Sequence, residues 1–186
     1  MLQHVLNPEQ WIDDYSDQLL GYAVARVRDR DIAKDLVQET FFVALRSQDK
    51  FRGEVSEKNW LYLILRSRIL DHYKKKKEVP ESQIVSNDDG GDSGYFMETG
   101  HWNAEMSPRE WSTDRMLETK EFLQVLDKCR GGLSELQNAV FTLKYLDGEA
   151  SEDICKELDI TSSNYWVLVH RAKLQLRKCL EKNWMT

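Results

Sequence analysis

The sequence predicts an all-α protein, with two small helical domains at residues 1–78 and 114–186 joined by a flexible acidic linker at 79–113. Three observations carry that prediction. Apolar residues recur at helical spacing in both halves, as at Trp11, Tyr15, Leu19 and Tyr22, or Leu136, Val140 and Leu143. Helix punctuation is dense: Asn7-Pro8-Glu9 and Ser134 with Gln137 are starts, while Gly131-Gly132 and Asp147-Gly148 are stops. Between the halves the chain changes character, because Ser82 to Gly94 is rich in Ser, Asp, Asn and Gly, the composition of a tether.

The chain has 186 residues, 41% hydrophobic and 31% charged, enough for one or two modest cores. No apolar run reaches the length of a membrane span, and the N-terminus lacks a basic region followed by an apolar one, so a cytoplasmic protein is expected. A net charge of −6 argues against nucleic acid as a partner, but its distribution reverses the argument. Leu61 to Pro80 holds six Lys or Arg against two Asp or Glu, and Ser162 to Thr186 holds five against one. Glu81 to Glu121 holds three against ten. Two basic islands flank an acidic bridge, and phosphates respond to local potential rather than to the sum.

Cys129, Cys155 and Cys179 are far apart and form no paired-cysteine motif, so buried reduced thiols are expected. His4, His72, His101 and His170 show no ligand spacing. With no phosphate-cradling glycine loop, nucleophile triad or metal cluster in the sequence, the expectation is a non-enzyme without cofactor or metal.

Taken in order, the first helix starts at Asn7-Pro8-Glu9, with Asn as cap, and runs to about Arg28 with Trp11, Tyr15, Leu19 and Tyr22 toward the core. Asp29-Arg30-Asp31 turns the chain into the second helix. There Ala33, Leu36, Val37, Thr40, Phe41 and Ala44 share one arc, and Asp35, Gln38, Glu39 and Phe42 the opposite one. The second arc reads as a solvated face or as a docking surface, and the phenyl ring beside two carboxylates keeps the latter open. Phe51-Arg52-Gly53 and a polar loop, Glu54 to Lys58, lead to the run Trp60 to Tyr73. Periodicity cannot choose a buried face in so apolar a run, although its length favours a helix. It ends in Lys74 to Lys77. Aromatic rings beside a cationic patch suit single-stranded nucleic acid, whose bases stack and whose phosphates attract ammonium groups. The same residues also suit a core with a solvated helix end.

In the linker, Tyr95-Phe96-Met97, Trp102 and Trp111 are too large for a pure spacer; they pack on a neighbouring domain or shield the basic islands. Arg115 to Lys128 reads as a helix with Met116, Leu117, Phe122, Leu123, Val125 and Leu126 as its apolar residues. The capping box at Ser134 and Gln137 opens the next. A short helix from about Ser151 to Leu158, the turn Asp159-Ile160-Thr161 and a longer helix from Ser162 or Ser163 to Leu180 have helix-turn-helix spacing. In the longer helix Tyr165, Leu168, Val169, Ala172 and Leu176 share an apolar arc, while Ser163, Trp166, Val167, His170, Arg171 and Leu174 point away from it.

Short sequence words now add a resemblance. Asp-Leu-Val-Gln-Glu-Thr-Phe (35–41), Phe-Arg-Gly (51–53), Trp-Leu-Tyr (60–62) and Asp-His-Tyr-Lys (71–74) resemble region 2 of bacterial sigma factors of the extracytoplasmic-function class, in the sigma-70-type family. Asp-Ile-Cys-Lys-Glu-Leu-Asp-Ile-Thr (153–161) and His-Arg-Ala-Lys (170–173) resemble region 4 of the same family. The resemblance implies a region 2 bundle at 1–78, a variable linker, and a region 4 helix-turn-helix at 114–186. It implies core RNA polymerase as a partner, through its beta-prime clamp and beta flap, together with promoter DNA and an anti-sigma factor. Asp35, Gln38, Glu39 and Phe42 would then contact the clamp. Lys58, Asn59, Trp60, Arg66, His72, Lys74, Lys75, Lys76 and Lys77 would face the melted downstream promoter element. Ser162, Ser163, Asn164, Trp166, Val167, His170, Arg171 and Lys173 would face the upstream duplex element.

The chain departs from the family's usual pattern at four places. Trp166 and Val167 stand where Lys or Arg and Ser are common, leaving fewer hydrogen bonds for base edges. Asp159 replaces a turn glycine, and Ala150 a capping Ser, a role Ser151 could take. Two other classes of function fit the same helices: a stand-alone helix-turn-helix regulator, and a helical adaptor that never touches DNA.

Overall fold

The structure, a computed structural model, describes residues 6–77 and 120–184, all of it helix, turn or loop, with no strand among the described residues. The linker at 79–113, its Trp102 and Trp111, and Met116 and Leu117 lie outside the described residues. Packing divides the chain into two compact units, Met1–Lys75 and Lys76–Thr186.

In the first unit a 3-10 turn, Pro8–Gln10, leads into α1 (Trp11–Val27). Asn7 stands at its start but its side chain makes no cap bond, a correction to the expected Asn cap. One orphan amide finds a partner in the turn itself, since Gln10 N–H donates to the Asn7 carbonyl at 3.1 Å. α1 ends where Arg28 turns left-handed, at φ 62°. Asp29 then returns to extended backbone and caps α2 (Arg30–Arg46), its carboxylate accepting from the amides of Asp31 and Ile32. The buried arc of α2 is the expected one at Ala33, Leu36, Val37, Thr40 and Ala44. Thr40 hides its hydroxyl by donating to the Leu36 carbonyl at 2.7 Å. Phe41 is half-buried and stacks on Trp11, with ring centroids 6.5 Å apart.

Ser56 caps α3 (Glu57–Lys77), accepting the Asn59 amide on Oγ at 3.3 Å. The helix therefore starts before the apolar run, and Lys58 and Asn59 sit in its first turn, whereas the sequence suggests a loop through Lys58. Leu61, Leu65, Ile69 and Tyr73, with Leu70 beside them, form the buried face that periodicity leaves undecided. Both ends of α3 are fastened to α1. At the C-terminal end the Tyr73 hydroxyl donates to the Arg26 carbonyl at 2.9 Å, and at the N-terminal end Glu57 accepts from the Trp11 indole.

In the second unit α4 (Lys120–Arg130) runs into the Gly131-Gly132 turn. The capping box then opens α5 (Glu135–Phe141): Gln137 N–H donates to Ser134 Oγ at 3.3 Å, and Ser134 N–H to Gln137 Oε1 at 2.9 Å. α5 widens into one π-helical turn, Thr142–Leu146, and stops at Asp147 and Gly148, whose φ is 70°. α6 (Ser151–Leu158) starts from Ala150, which offers no cap; Ser151 does not take the role and its hydroxyl bonds Glu152 instead. Asp159 supplies the left-handed residue of the turn, at φ 51°, and Ile160 N–H reaches back to the Cys155 carbonyl at 2.9 Å, the hydrogen bond of a Schellman ending. Thr161 caps α7 (Ser162–Asn183) through the Asn164 amide at 3.2 Å.

α7 packs on α4, α5 and α6. Tyr165, Leu168, Val169, Ala172 and Leu176 are buried as expected, but so is Leu174, which stands 7% exposed rather than pointing away. A helix embraced by three others buries more than one arc. Arg130 is buried in this unit, with its charge hydrogen-bonded to Asn138 Oδ1 and Thr142 Oγ1, both at 3.1 Å. Those bonds offset the desolvation of a guanidinium, which burial without partners makes very costly.

The expectation of three reduced thiols is overturned. Cys129 and Cys179 form a disulfide that joins the end of α4 to the last turns of α7, leaving Cys155 as the free thiol. Fifty residues of sequence separate the pair, and spacing that wide hides a contact made only when the helices fold together.

Candidate functional site

Three outward surfaces carry the residues singled out by the sequence, and each is held by a buried stripe behind it. The first is the outer face of α2. Asp35, Gln38, Glu39 and Phe42 are all exposed, Phe42 to 60%, opposite the buried Ala33 to Ala44 arc. The Arg46 guanidinium lies 5.5 Å from the Phe42 ring centroid, a cation–π contact one turn on. Leu45, half exposed and three residues after Phe42, extends the apolar part of this face. The sequence reading missed it, although its spacing from Phe42 is the signal that finds it. At the start of the same helix Lys34 pairs with Asp31 at 2.9 Å and holds that carboxyl below its ordinary range.

The second surface lies along α3. Lys58, Asn59, Lys74 and Lys75 are exposed, whereas Trp60, Arg66 and His72 are half-buried; the side chains of Lys76 and Lys77 lie outside the described residues. Trp60 is not a lone ring on the surface. It meets Trp11 edge-on at 6.1 Å and Phe51 at 5.1 Å, so it also closes the core beneath the loop that precedes α3. Beside it runs a ladder that sequence reading also missed: the Lys58 ammonium stands 6.0 Å from the Tyr62 ring, Tyr62 meets Tyr22 edge-to-face at 5.1 Å, and the Arg26 guanidinium covers Tyr22 at 3.3 Å. Cations interleaved with aromatic rings suit a single strand, and no sequence spacing links α1 to α3. Burial, reinforced by the bond to Glu57, raises the Tyr15 phenol above its usual value.

The third surface is the first half of α7. Ser162, Ser163, Trp166, Val167 and Arg171 are exposed, and Asn164, His170 and Lys173 are half-buried. Trp166, 43% exposed, is braced edge-on by Tyr165 at 5.1 Å and lies 6.3 Å from the His170 ring, with Val167 at 41% beside it. The brace is itself rigid, because Tyr165 is fully buried. Burial, with smaller contributions from Tyr145, Cys155 and Glu152, pushes the Tyr165 phenol up; burial and then Glu152 do the same for the Cys155 thiol. Among the described residues no group of three or more His, Cys, Asp or Glu could hold a metal ion, and no helix is long and apolar enough to cross a membrane.

Comparison with known proteins gives these surfaces a family. The model for Sigma-70 region 2 matches residues 11–79 and that for Sigma-70, region 4 matches 123–176. A probable RNA polymerase sigma factor of Haemophilus influenzae is 34% identical over 167 residues, 89% of this chain and 85% of the relative. Two Bacillus subtilis proteins are also similar. RNA polymerase sigma factor YlaC is 25% identical over 98% of this chain and 96% of its own length, and ECF RNA polymerase sigma factor SigX is 26% identical over 91% and 81%.

Proposed function

The chain belongs to the sigma-70 family of RNA polymerase sigma factors and serves promoter recognition and transcription initiation; from that premise we propose how its two units divide the work. The first unit, region 2 with a boundary near residue 78, docks on core polymerase through Asp35, Gln38, Glu39 and Phe42 of α2. It captures the melted downstream element with Lys58, Asn59, Trp60, Arg66, His72 and Lys74 to Lys77. The second unit, region 4 from about residue 114, reads the upstream duplex element with Ser162, Ser163, Asn164, Trp166, Val167, His170, Arg171 and Lys173. The acidic segment 79–113 tethers the two. The protein works in the cytoplasm, where the polymerase is, and it catalyses no bond chemistry. Binding energy alone offsets the unstacking of captured bases, a few kcal/mol for each.

The observation that carries this reading is the arrangement of α7: an N-terminal half presenting Ser162, Ser163, Trp166, Val167 and Arg171 over a buried Tyr165, Leu168, Val169 and Ala172, behind a short helix and a three-residue turn. A recognition helix needs one side anchored and the other open to the major groove. Trp166 and Val167 offer apolar contact to thymine methyls and sugar edges rather than hydrogen bonds, so sequence preference shifts toward T-rich steps. An anti-sigma protein would cover the same exposed apolar side chains, Phe42, Trp166 and Val167.

Runoff transcription with core polymerase, with and without this protein, tests the reading. Promoter-specific transcripts that depend on the protein are the expected result. Duplex binding without polymerase and without transcripts would return a stand-alone regulator instead.

A further inference from the structure

Glu57 is read from sequence as part of a polar loop, yet in the structure it is half-buried and receives three donors from one neighbouring segment. Oε1 accepts from the Asn7 backbone N–H and from the indole Nε1–H of Trp11, and Oε2 accepts from the Tyr15 hydroxyl at 3.2 Å. Hydrogen bonds to a carboxylate are stronger than those between neutral groups, and three of them fix both the position and the rotation of the acid.

Trp11, the other member of this arrangement, is 1% exposed. Its ring is stacked on Phe41 and meets Trp60 edge-on, and Trp60 in turn packs on Phe51. The segment Arg52 to Ser56 is therefore anchored on one tryptophan at both of its ends. Phe51 before it reaches Trp11 through the ring of Trp60, and Glu57 after it reaches Trp11 through the indole N–H. Immediately beyond the carboxylate stand Lys58 and Asn59, exposed in the first turn of α3.

We propose that Glu57 is a positioning residue for single-strand capture, holding the 52–56 loop together with Lys58 and Asn59 in the arrangement that receives an unstacked base. The inference rests on the reading of the first unit as the reader of the melted element. The physical ground is preorganisation. A base leaves its stack at a cost, and a loop that must order itself at that moment adds to it, whereas one already fixed at both ends does not. An acid serves there because two of the facing groups can only donate and its charge strengthens all three bonds. An amide in its place can turn its N–H to the Tyr15 hydroxyl, which also accepts, but it holds the Asn7 and Trp11 donors through neutral and therefore weaker bonds.

The test uses full-length protein with core polymerase on bubble DNA carrying the melted downstream element, with each non-template base in turn replaced by an abasic site. Wild-type holoenzyme is expected to lose affinity sharply at one or two positions. Glu57→Gln should lower affinity for the intact bubble about tenfold and flatten the penalty at those positions, leaving polymerase affinity and upstream-duplex binding unchanged. Tyr15→Phe, which removes one donor from an intact core, should give a smaller loss at the same positions. A Glu57→Gln holoenzyme that discriminates abasic positions as the wild type does overturns the proposal while leaving the reading of the unit in place. A uniform loss across every position, with polymerase affinity falling in parallel and Tyr15→Phe silent, assigns Glu57 to fold maintenance and likewise overturns it. A wild-type holoenzyme indifferent to every abasic position overturns the region 2 reading itself, and the positioning role with it.

Discussion

The two units fasten their first helix to their last by different chemistry. In the first, α1 and α3 are joined at both ends by hydrogen bonds, Trp11 and Tyr15 to Glu57 and Tyr73 to Arg26, around a cluster of Trp11, Phe41, Phe51 and Trp60. In the second, α4 is joined along its length to the C-terminal end of α7 by the Cys129–Cys179 bond and the edge-on pair Phe122 and Trp184. The other end of α7, which carries the outward Trp166 and Val167, is held by packing and the Thr161 cap. What the difference teaches is that the first unit fixes both ends of α3, while the second fixes the end of α7 remote from Trp166 and Val167. The N-terminal half of α7 depends on side-chain packing and the Thr161 cap, and the bond that a reductant would open lies in the distal half.

Opening the disulfide breaks this comparison most directly. A covalent closure of fifty residues restricts the unfolded chain enough to stabilise the fold by about 4 kcal/mol in the loop-entropy treatment. Thermal unfolding with and without dithiothreitol should therefore lower the transition of the second unit by at least about 10 °C and leave the first unit's where it is. A single transition indifferent to reductant would refute the asymmetry. The converse experiment is Leu65→Ala in α3. Leu65 is fully buried, so the change should destabilise the first unit by about 3 kcal/mol without moving the second.

Smaller changes sharpen the contrast at the surfaces. Asp35→Ala with Glu39→Ala, both exposed opposite the core of α2, should weaken binding to core polymerase about tenfold, or 1.4 kcal/mol, with no change in melting temperature. Titration of the labelled protein with core polymerase measures it, and unchanged affinity would remove that face from the interface. At the helix-turn-helix, Thr161→Ala should cost about 1 kcal/mol by loss of a working cap. Ser151→Ala should cost under about 0.5 kcal/mol, since its hydroxyl caps nothing. Denaturant unfolding of the two variants side by side distinguishes a cap that is made from one the sequence only suggests.

Much of this molecule is legible in its sequence, for reasons that particular residues make plain. The α2 arc could be read because a helix with Ala33, Leu36, Val37, Thr40 and Ala44 on one side has only one way to face a core. The capping box at Ser134 and Gln137 could be read because both partners lie within one turn. α3 could not, since a run apolar on every side carries no phase; its neighbours chose Leu61, Leu65, Ile69 and Tyr73. Leu174 was misplaced for a different reason: three helices rather than one surround α7, and they bury more than its apolar arc.

By itself, then, the order of residues determined the helices, the capping box at Ser134 and Gln137 and the outward face of α2, because each rests on periodicity or on bonds spanning a few positions. Tertiary structure alone decided which cysteines meet, where the Glu57 carboxylate finds Trp11 and Tyr15, and how the Lys58, Tyr62, Tyr22 and Arg26 ladder assembles. The contacts among these that cross from one helix to another join residues about forty to fifty positions apart, and at such separations no local spacing records which side chains will be neighbours once the helices pack.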